Sequence, residues 1–82
     1  VNYILTFEKG QLVVVAEHLR CDDESPRAVI TSRQDFNDYM AAEAARMGTH
    51  PDMLNVFVSS TLDFPEDFTT DPATIALAEE LR

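Results

Sequence analysis

The sequence predicts a small α+β domain. Its expected form is a three- to four-stranded, mainly antiparallel sheet in β-β-(β)-α-β-α order, with one long helix packed on a face and a short C-terminal helix. Three observations predict it. Residues 2–8 alternate and lead, across Lys9-Gly10, into a β-branched apolar run. Residues 33–47 repeat apolar side chains at helical spacing between Ser32 and Gly48. Asp71-Pro72 then opens a second periodic stretch. At 82 residues the chain holds one domain, 1–82.

In the first segment Tyr3, Leu5 and Phe7 fall on one side and Asn2, Ile4, Thr6 and Glu8 on the other, the period of a half-buried strand. Gly10 supplies the positive φ of a turn. Gln11 to Leu19 carries Leu12, Val13, Val14 and Val15 without alternation, which suits a central strand covered on both faces. Residues 20–27 read as a polar loop stopped by Pro26, and Ala28-Val29-Ile30 as a short third strand. Ser32 is placed to cap a helix over 33–47, with Asp35 at the capping-box position and Gly48 at the left-handed end. The stripe Phe36, Tyr39, Met40, Ala44 and Met47 is its expected buried face. Met53 to Ser60 alternates and is expected to return to the sheet. Residues 61–70 read as an irregular acidic-aromatic segment. Asp71-Pro72 starts a final helix of about two turns, with Ile75, Leu77, Ala78 and Leu81 inward.

Fifteen acids against six bases leave a net charge of −9. That excludes direct nucleic-acid binding, which needs a positive face, and docking on an anionic membrane. The apolar runs are too short to span a bilayer. Residues 1–21 are balanced, residues 22–48 carry −3 and residues 49–82 carry −6. Two clusters concentrate the charge. Asp22, Asp23 and Glu24 follow the hairpin, and Asp63, Glu66 and Asp67, with Asp71 beyond, surround Phe64 and Phe68. Such carboxylates either keep a small protein in solution or dock a basic partner, where complementarity sets encounter rate and specificity. The two rings can anchor the segment to the core or enter a partner.

Chemistry-bearing motifs are absent. Gly10 and Gly48 are isolated, so no phosphate-cradling loop exists. His18 and His50 stand apart from any nucleophile. Asp22, Asp23 and Glu24 lack the alternating ligands of a calcium loop. Cys21 is the single cysteine and adjoins acids, which are expected to disfavour its thiolate. A chain without disulfides fits a reducing compartment, the cytoplasm. Val1-Asn2-Tyr3-Ile4-Leu5 has no basic leader region, and a start at Val suits trimming or the alternative start codon of a prokaryotic or phage reading frame. The expected function is a non-enzymatic interaction module without cofactor or metal. Its acidic surface would dock on a basic protein, and a nucleic-acid-binding partner would be inhibited by mimicry of phosphate. In size and charge the chain is similar to small acidic phage inhibitors. The expected contact residues are Asp22, Asp23, Glu24, Asp63, Phe64, Glu66 and Asp67. The alternative is a homo-oligomer, at its simplest a homodimer, pairing through an uncovered sheet face or edge.

Overall fold

A computed structural model describes residues 2–17 and 27–82. The elements are β1 (Asn2–Glu8), β2 (Gln11–Glu17), β3 (Arg27–Val29), α1 (Arg33–Met47), β4 (Val56–Val58), α2 (Pro65–Phe68) and α3 (Pro72–Leu81). Two 3₁₀ turns, Pro51–Met53 and Ser60–Asp63, flank β4. The expected loop residues Asp22, Asp23 and Glu24, together with His18 and Cys21, lie outside the described residues.

β1 and β2 form the expected hairpin, in register from Asn2 opposite Glu17 to Glu8 opposite Gln11. Lys9 (φ 53°) and Gly10 (φ 77°) both occupy the left-handed region. Two such residues give a two-residue loop the twist its strands require. The strand order is β3-β2-β1-β4, so the hairpin is central. β3 runs antiparallel to β2, and β4 runs parallel to β1. The sheet is therefore mixed at one edge. β3 and β4 point the same way because α1 carries the chain back across the sheet between them, and such a crossover delivers a parallel strand.

Burial follows the pleat. Tyr3, Leu5 and Phe7 share a face with Ala16, Val14 and Leu12, and Ile30, Met40, Leu62 and Ala78 close over it. Phe36, Tyr39, Leu77 and Leu81 pack around this core. The Tyr3 and Tyr39 rings meet edge to face, with centroids 6.2 Å apart. The Tyr3 hydroxyl donates to Glu43 at 3.0 Å and lies 3.3 Å from the Met47 sulfur. On the opposite face Thr6, Val13 and Val15 are also buried, while Val29 and Phe57 are exposed. The middle of that face is thus already withdrawn from solvent.

α1 has the predicted bounds. Ser32 Oγ accepts from the Asp35 amide at 3.1 Å, and Gly48 ends the helix at φ 69°. The Asp35 carboxylate accepts hydrogen bonds from the amide (2.9 Å) and the hydroxyl of Thr31, one residue before the cap. These bonds hold its pKa below the usual carboxylate range. Met47, on the last turn, is exposed rather than buried and meets the sheet through its sulfur at the Tyr3 hydroxyl.

Two further elements differ from expectation. β4 spans three residues instead of eight. Pro51 starts a 3₁₀ turn capped by the His50 side chain, and Ser59 Oγ accepts from the Thr61 amide to start the next, so both flanks are bent out of the strand. Residues 60–68 are largely helical, since Ser59 and Pro65 are good first-turn residues. α3 runs ten residues, capped by Asp71 on the Ala73 amide at 3.1 Å.

Two outcomes test this packing. Thr61 Oγ1 accepts the Phe7 amide at 3.0 Å and bonds Thr6 Oγ1 at 2.9 Å. Thr61→Val orphans both partners and is expected to lower stability by about 1–3 kcal/mol in urea denaturation. The second concerns the tyrosines. Burial, followed by the nearby Glu43 charge, pushes Tyr39 up to about 12. Burial and the Glu43 hydrogen bond also raise Tyr3. The fold prefers both phenols neutral, so their contribution is complete below the ordinary value of ~10 and is lost as pH climbs towards 12. Ultraviolet titration of the folded protein is expected to show tyrosinate only above the ordinary range, with melting temperature falling over the same interval.

Candidate interaction site

The acidic-aromatic corner is built on one buried side chain and one buried hydroxyl. Leu62 enters the core, and Thr61 continues the β1 edge where β4 has ended. Asp63 follows on the outside. Phe64 joins the 3₁₀ turn to α2 and is exposed, with 58% of its surface open. Phe68, at the end of α2, lies nearly parallel to Phe7 at 6.4 Å and 22°. Its carbonyl passes close to Gly10, which sets α2 against the hairpin turn. Both rings are exposed, Phe68 at 40%, but only Phe68 stacks on a core ring. The connection holds its position through Leu62 and Thr61 as much as through aromatics, and neither stood out in the sequence.

The carboxylates differ in what they do. Asp63 accepts from Arg82 at 2.7 Å, and Arg82 also donates to the Leu62 carbonyl at 3.2 Å. This pair ties the end of α3 to the corner. Arg82 is the single base after residue 48, which was the available sequence signal for that tie. Glu66 and Asp67 lie in the first turn of α2, exposed, without an ion pair among the described residues. The structure thus groups Asp63, Phe64, Glu66 and Asp67 at one corner.

Elsewhere the described arginines are all engaged. Arg27 binds Glu8 at 2.6 Å, Arg33 binds Glu80 at 2.8 Å and Arg46 binds Glu43 at 2.9 Å. These are exposed or half-exposed pairs, each worth at most about 1 kcal/mol. Their larger effect is on the field. The cations are matched locally to part of the carboxylates, while Glu17, Glu66, Asp67 and Glu79 lack a cation among the described residues. Asp38 is bonded by Gln34 at 2.6 Å, and Asp71 by Ala73 and Thr74.

No group of three or more His, Cys, Asp or Glu side chains placed to hold a metal occurs among the described residues. An open groove of about 280 Å³ lies between the hairpin turn and the start of α3, lined by Leu12, Ile30, Asp71, Thr74 and Leu77 among others. Its one carboxylate, Asp71, is already spent on the helix cap. No helix among the described residues is long and apolar enough to cross a membrane. Compared with known protein families, curated proteins and solved structures, the chain matches none.

The two rings are expected to separate on mutation. Phe68→Ala, which removes the stack on Phe7, is expected to cost roughly 1–3 kcal/mol by chemical denaturation. Phe64→Ala is expected to stay within about 0.5 kcal/mol of the parent, as exposed substitutions do. Equal losses would mean that both rings anchor the corner.

Proposed function

We propose that the protein is a non-enzymatic, cytoplasmic interaction module that docks its acidic surface on a basic partner. The partner's surface is of the kind that otherwise holds nucleic-acid phosphate, so docking blocks it in the manner of a phage-type inhibitor. The observation that carries this is the corner itself. An exposed aromatic, Phe64, stands beside Glu66 and Asp67, carboxylates that no described cation neutralises. An aromatic of this kind supplies contact area on binding, and unpaired rim charges speed and steer the encounter. The surrounding arginine pairs support the same reading, since they leave the excess charge negative. Asp22, Asp23 and Glu24 enter on sequence alone as a second acidic contact.

A tagged domain is expected to retain, from nuclease-treated bacterial lysate, a basic nucleic-acid-binding protein that elutes as salt rises. Duplex DNA added to the column is expected to displace the domain from it. Substituting Glu66→Gln with Asp67→Asn is expected to weaken binding about tenfold and flatten its salt dependence, and Asp63→Asn to add little because Arg82 already holds that carboxylate. Retention that ignores salt and DNA, or none at all, would move the function to self-assembly and reduce the charge to a solubility device.

A further inference from the structure

The outer edge of β4 is an open hydrogen-bonding surface. The Tyr3 amide donates to the Asn55 carbonyl at 3.1 Å, and the Ser59 amide donates to the Leu5 carbonyl at 2.9 Å. In a parallel ladder this turns the backbone groups of Asn55, Phe57 and Ser59 towards β1. The amides and carbonyls of Val56 and Val58 therefore point away from the sheet, where no described element pairs with them. Edge strands are normally blunted by lysine, proline or charge. β4, Val56-Phe57-Val58, has none of these and is bordered by the neutral Asn55 and by Ser59 and Ser60. Large apolar side chains are exposed along it instead. Phe57 is 54% open on one face, Val58 is 45% open on the other, and Met53 is 72% open just before the strand.

We infer that this edge accepts an extended, basic segment of the partner by strand addition, with Val56 and Val58 offering four backbone hydrogen bonds. This rests on the acidic-docking reading above and names how the partner is held. Charge selects the occupant. Asp52 precedes β4, and beyond the following 3₁₀ turn, where Arg82 already holds Asp63, Glu66 and Asp67 have no cation among the described residues. Lysine or arginine in an added strand meets them favourably, whereas a second copy of this chain brings the same acids and a further −9.

The probe is a ten-residue peptide of alternating valine and lysine, with a valine-glutamate peptide as control, followed by amide NMR and hydrogen exchange on the full chain. The Val56 and Val58 amides are expected to shift and to gain at least tenfold protection with the lysine peptide alone. Val58→Pro removes one outward donor without touching the β1 ladder and is expected to abolish that protection, its fold being checked by the retained Tyr3 and Leu5 amide signals. Wild-type exchange carries the test if that variant unfolds. Lysine-peptide shifts confined to Glu66 and Asp67 would overturn strand addition while leaving acidic docking intact. Equal binding of both peptides would overturn the charge selection and the docking reading together. Protection of Val56 and Val58 in the protein alone, rising with its concentration, would assign the edge to a second copy and overturn the proposal.

Discussion

Everything in this domain hangs on β1. It pairs with β2 along one edge and with β4 along the other, and its inward residues Tyr3, Leu5 and Phe7 are almost wholly buried. Where β4 ends, Thr61 takes over the next free amide of the strand, that of Phe7. Tyr3 reaches α1 through its ring and hydroxyl, and Phe7 meets α2. A small domain has little surface to bury and so little margin. Concentrating the contacts on one central strand lets α1, α2, α3 and the Ser60–Asp63 turn share a single apolar face.

The polar side chains divide the work. Carboxylates at Asp35 and Asp71 complete helix starts, and Ser32, His50 and Ser59 do the same for their own turns. Arginines cross-link elements: Arg27 joins β3 to β1, Arg33 joins α1 to α3, and Arg82 joins α3 to the acidic corner. Such surface pairs add little to stability one by one. They do consume positive charge, so the solvent-facing field is set by the carboxylates left over. Local pairing and residual charge are linked in this way. The same arginines that hold α3 in place leave Glu66 and Asp67 unopposed.

The acidic corner and the β4 edge offer different kinds of contact. In the proposed docking, the corner would supply long-range attraction and exposed aromatic surface, which favour rapid encounter. The edge would supply directional backbone bonds, which fix register. The 3₁₀ turn Ser60–Asp63 connects them directly along the chain.

The hairpin, α1 and α3 were legible in the sequence because their signals are local: alternation, a cap three residues before Asp35, glycine at position 48 and Asp-Pro at 71–72. Legible too was the concentration of acid near Phe64 and Phe68. The tertiary structure decided the rest. Direction of β4 depends on where the crossover helix delivers the chain, and its length on how Pro51 and Ser59 bend the flanks, neither of which is carried by the alternation of Leu54, Val56 and Val58. Phe64 and Phe68 are the same residue type four apart, and only the placement of Phe7 makes one an anchor. Asp63 reads like Glu66 and Asp67 until Arg82, nineteen residues on, folds back to meet it. Local patterns determine which elements form because their energies come from neighbours in the chain. Pairing, exposure and residual charge come from neighbours in space, and those exist only once the core has closed.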